Sequence, residues 1–105
     1  MKIEDIVESV AQQMFGPTVS EYSTSRTKVQ VKTIELVCEL LSENTGCTIR
    51  IINDVVFINN VPWSISYLLS EDGKYRWITA FGYHDSYHEA ILQIVERIKA
   101  PENNP

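Results

Sequence analysis

The chain has 105 residues, 44% of them hydrophobic and 10% aromatic, with a formal net charge of −5 and a sequence pI near 4.9. That length and apolar content suit one domain with a core of its own, needing no disulfide framework, and the acidic balance repels a polyanion at long range, which counts against nucleic acid as a partner. The opening MKIEDIVESV carries acids among its first residues and has no long apolar run, so neither a secretory signal nor a membrane span is expected, and a cytoplasmic location with no membrane attachment is.

From Lys2 to Met14 the apolar residues Ile3, Ile6, Val7, Val10, Ala11 and Met14 recur at three- and four-residue spacing, with Glu4, Asp5, Glu8, Gln12 and Gln13 between them. This predicts an amphipathic helix, ended by Gly16-Pro17. Residues 16–27, GPTVSEYSTSRT, hold turn formers and hydroxyls without a sustained period and read as a loop or a short irregular edge strand. A second helix is expected over about 27–43. At 100° per residue Lys28, Lys32, Glu35, Glu39 and Glu43 fall in a narrow arc, and Val29, Ile34, Leu36, Val37, Cys38, Leu40 and Leu41 spread over the other side. So wide an apolar arc implies packing on two surfaces: a sheet and another helix, or a second copy of the chain. Gly46 follows as a helix-end residue.

After Cys47 the period changes to two and β-branched residues dominate, in CTIRIIN, VVFIN, PWSISYLLS and KYRWITAFGY. Asn53-Asp54 and Asn59-Asn60 are turn formers, although 47–59 also reads as one long strand with a bulge. Around Glu71-Asp72-Gly73 two registers compete. A two-residue turn at Asp72-Gly73 sets Leu68 opposite Trp77 and splits the aromatic residues between both faces. A three-residue loop with left-handed Gly73 pairs Ser70 with Lys74 instead. Trp63, Ile65, Tyr67, Leu69, Tyr75, Trp77, Thr79 and Phe81 then share one face, with Ser64, Ser66, Lys74 and Arg76 on the other. The second register sorts polar from apolar better and is the one expected; the aromatic face is read as core more than as a stacking platform.

The final helix is predicted over 87–99, with Tyr87, Ile91, Ile94, Val95 and Ile98 inward, followed by a disordered tail at 101–105 after a single domain over 1–100. Just before this helix, AFGYHDSYHEA sets His84 and His88 four residues apart. Ser86 and Glu89 in that stretch have the spacing of a capping box, which puts His84 before the cap and His88 inside the first turn, so the pair loses the one-face geometry of a zinc-binding HxxxH helix. The histidines are read as a solvated loop pair. No metal, cofactor or catalytic set is expected, and Cys38 and Cys47 read as reduced, buried thiols.

The expected architecture is therefore α+β: an antiparallel meander of three or four strands with helices on one face, in the order α-α-β-β-β-β-α. The expected function is a small acidic, non-enzymatic protein-interaction domain, an adaptor, regulator or inhibitor, with an unidentified protein partner and a homodimer as one form. Its interaction surface draws on Arg26, Lys28, Lys32, Glu35, Glu39 and Glu43. Nucleic-acid binding through the 26–32 cations and the sheet residues Arg50, Lys74 and Arg76 is the second reading, and a small metal-dependent enzyme using His84 and His88 the third.

Overall fold

The computed structural model describes residues 2–15, 28–53 and 55–99. The readings made for the 16–27 segment, for Arg26 and for the 101–105 tail lie outside them. The helices are α1 (Ile3–Phe15), α2 (Lys28–Thr45) and α3 (Tyr87–Lys99); the strands are β1 (Ile49–Ile52), β2 (Val55–Ile58), β3 (Val61–Trp63), β4 (Ser66–Leu69), β5 (Tyr75–Thr79) and β6 (Gly82–His84). The class is α+β, with antiparallel strands between two leading helices and one closing helix. Six short strands stand where four segments were read, arranged as two three-stranded meanders, β1-β2-β3 and β4-β5-β6. The two extra divisions fall where pairing stops, in PWSISYLLS at Ser64-Ile65 and in KYRWITAFGY at Ala80-Phe81; the 47–59 run is two strands rather than one, the first ending after Ile52.

Turn chemistry sets the registers. Asn59 and Asn60 both take positive φ, 53° and 66°, the type I′ conformation whose twist suits a two-residue hairpin, and Ile58 pairs with Val61 across them. The Asn59 side-chain oxygen also accepts the Thr48 N–H at 3.0 Å, tying this turn to the entrance of β1. At the next hairpin the three-residue loop holds. Leu69 pairs with Tyr75 and Tyr67 with Trp77, the Ser70 N–H donates to the Lys74 carbonyl at 2.9 Å, and Gly73 sits at φ +81°. Tyr67, Leu69, Tyr75, Trp77 and Thr79 therefore share one face, with Ser66, Leu68, Arg76 and Ile78 on the other.

Each meander takes one helix. α2 packs on β1, α3 packs on β5 and β6, and α1 lies against both helices. The α1 stripe of Val7, Val10, Ala11 and Met14 is buried in one cluster with Val37 and Leu41 of α2, Ile49, Val56 and Ile58 of the first sheet, Trp77 of the second, and Tyr87, Ile91 and Ile94 of α3. The two surfaces required by the wide apolar arc of α2 are thus α1 and β1. At its end, Ser42 Oγ accepts the Ile49 N–H at 2.9 Å and Thr45 Oγ1 accepts the Cys47 N–H at 3.2 Å, while Gly46 turns the chain at φ +74°. These bonds carry the chain from helix to strand with its polar groups satisfied.

The asparagine turn yields a stability test. Asn60→Gly removes the Cβ from a left-handed position and should stabilise the fold by on the order of 0.5 kcal/mol, whereas Asn60→Val should cost about 1 kcal/mol or more. Urea denaturation of both variants beside the wild type measures the two signs; a stabilising valine would refute the turn assignment.

Candidate functional site

The stretch around the two histidines resolves into a helix start secured from two directions. Ser86 Oγ accepts the Glu89 N–H at 3.0 Å, the N-cap bond expected from the sequence. The second acceptor comes from far away in the chain: Glu8 Oε1, on α1, accepts the His88 N–H at 2.9 Å. A carboxylate at a helix N-terminus faces the unpaired amides and the positive end of the helix dipole, so Glu8 docks α1 onto α3 as well as capping it. Burial pushes the Glu8 carboxyl above its ordinary value of 4.5, and the amides of His88 and Tyr87 offset this only in part.

The histidines are not a solvated pair. His84, at the end of β6, is half-buried, with Nε2 at 3.0 Å from Thr79 Oγ1. His88 is buried, because it lies three residues before Ile91 and so falls on the inward stripe of α3, a position the helical period already implied. Its Nε2 and the hydroxyl of buried Tyr87 have no hydrogen-bond partner among the described residues. The charges of Cys38 and Glu8 add to the burial that drives the Tyr87 phenol far above its ordinary range. Cys38 is itself pushed up, by burial first and then by the charge of Glu35. Glu8, Cys38 and Tyr87 thus form a titratable patch between the helices, each raised above its ordinary value chiefly by burial. Among the described residues no three His, Cys, Asp or Glu side chains gather as a metal site.

The surface residues proposed from sequence separate. Lys32, Glu35, Glu39 and Glu43 are exposed along α2, with Leu36 exposed among them, and Lys28 opens that helix. The aromatic face is divided. Trp77 is 1% exposed and meets Phe15 edge-on at 5.5 Å and Tyr87 at 5.0 Å, which is core behaviour. Towards the hairpin, however, Tyr67 and Leu69 emerge from the helical cover, with Phe15 against the Tyr67 ring at 5.2 Å. Phe15 was not singled out from sequence; it ends the α1 stripe one turn after Ala11, and that spacing is the signal that marked it.

The faces turned away from the helices carry further exposed apolar surface. On the second sheet, Leu68 stands opposite Arg76, and Ile78 opposite both Ser66 and Tyr83. Leu68 is 51% and Tyr83 68% exposed. On the first sheet Arg50, Phe57 and Pro62 form one row, and exposed Ile52 and Val55 the next. The six strands contain Arg50 and Arg76 and no carboxylate, although the chain as a whole is acidic. In the hairpin between β4 and β5, Asp72 accepts a hydrogen bond from Ser70 Oγ and the Lys74 N–H, and these bonds hold its carboxyl below the ordinary range. No described helix is long and apolar enough to cross a membrane. No family model matches the sequence, and no curated protein or solved structure is significantly similar to it.

The double cap is testable. Ser86→Ala and Glu8→Ala should each destabilise by about 1 kcal/mol, the usual loss of a helix N-cap. Glu8→Gln keeps an acceptor oxygen and sheds a poorly solvated charge. Because the folded-state pKa of Glu8 is raised, its titration favours the fold most below about pH 4.5 and loses that contribution as pH rises through the folded value. The stability of Glu8→Gln relative to wild type should therefore increase from pH 4 to pH 7 in parallel denaturant titrations. A relative stability that falls over that interval would mean the ionised carboxylate is the favoured form.

Proposed function

We propose that this chain is a protein-interaction domain that works by contact, with the uncovered face of the second sheet as its principal surface. The observation that carries the reading is the set Leu68, Arg76, Ile78 and Tyr83: apolar and aromatic side chains beside an arginine, on strands without a carboxylate, facing away from the helices. Interfaces are enriched in aromatic residues and arginine at their centres, and a large apolar side chain left in water marks a surface that gains free energy when covered. The acidic stripe of α2, with Leu36 among Glu35, Glu39 and Glu43, is a second surface of opposite charge on the same molecule. A partner that is itself mixed in charge can use both.

Nucleic acid is the competing partner class, since Arg50, Lys74 and Arg76 lie on or beside the strands. Long-range repulsion by the net charge of −5 opposes it. The test uses tagged wild type, Tyr83→Ser and Arg76→Glu, with capture from the source cell followed by mass spectrometry, run beside a salt titration against mixed-sequence DNA and RNA. The expectation is a stoichiometric protein retained by wild type and reduced at least tenfold in either variant. Nucleic-acid affinity that falls steeply with salt and disappears in Arg76→Glu would reject the proposal in favour of phosphate binding.

A further inference from the structure

We draw no further inference here: the strongest candidate, the outward face of the first sheet with Arg50 beside Phe57 and Pro62 and exposed Ile52 and Val55, carries none because nothing in the structure shows what covers it.

Discussion

Neither three-stranded sheet has enough surface to enclose a core, and that shortage organises the molecule. α2 followed by β1-β2-β3 is one half, β4-β5-β6 followed by α3 is the other, with element order mirrored about Ser64-Ile65. Each half is a single helix on a single small sheet and leaves apolar flank exposed. The stripe of α1 fills that space: Val7, Val10, Ala11 and Met14 lie where α2 and α3 converge, and they join the side chains of both sheets into one cluster. Burial at roughly 25 cal/mol per Å² rewards this only if the helices hold a defined distance, and the Glu8 bond to the start of α3 supplies that constraint. Trp63 against Phe81, with ring centres 5.7 Å apart, links the two sheets directly, and Arg97 lies over the same Phe81 ring at 4.8 Å.

The same convergence explains why the interior contains polar atoms that an apolar core would exclude. Glu8 belongs to the rim of α1, Cys38 to α2 and Tyr87 to α3, and docking the three helices buries Tyr87 and partly shields Glu8 and Cys38. Tyrosine and cysteine are protonated at neutral pH in any case, and burial pushes both further from ionisation, so neither adds an anion near Glu8. The Tyr87 hydroxyl and His88 Nε2, buried without a partner among the described residues, lie at the junction where aromatic rings gather beside Trp77. This chemistry is oriented towards holding helices together, and its groups face inward.

Exposed apolar surface, by contrast, results from incomplete coverage by the helices. Three helices suffice for one face of each sheet, and among the described residues no helix packs on the opposite faces. On those faces the alternation of the strands places Phe57, Leu68, Ile78 and Tyr83 beside arginines, whereas the carboxylates concentrate on helices and turns. An acidic protein thereby presents a locally basic, apolar surface, and net charge alone would have misjudged its local character.

What the sequence determined by itself is everything governed by local period and local turn chemistry. The 3.6-residue stripes located all three helices, and α3 begins and ends where the pattern did. The Glu71-Asp72-Gly73 loop settled which aromatic residues share a face, and Ser86 marked its own helix start. The division into six strands was less legible, because a break at Ser64-Ile65 has no proline or glycine to announce it and depends on which strand finds a neighbour. Only the tertiary structure could decide that Glu8, a residue on the polar side of its own helix, would accept an amide eighty positions away. The same holds for His88, whose inward position on α3 becomes burial only when α1 arrives. Period and turn geometry act over a few residues and can be read along the chain; shielding from water depends on which distant elements meet, and that is a property of the packed whole.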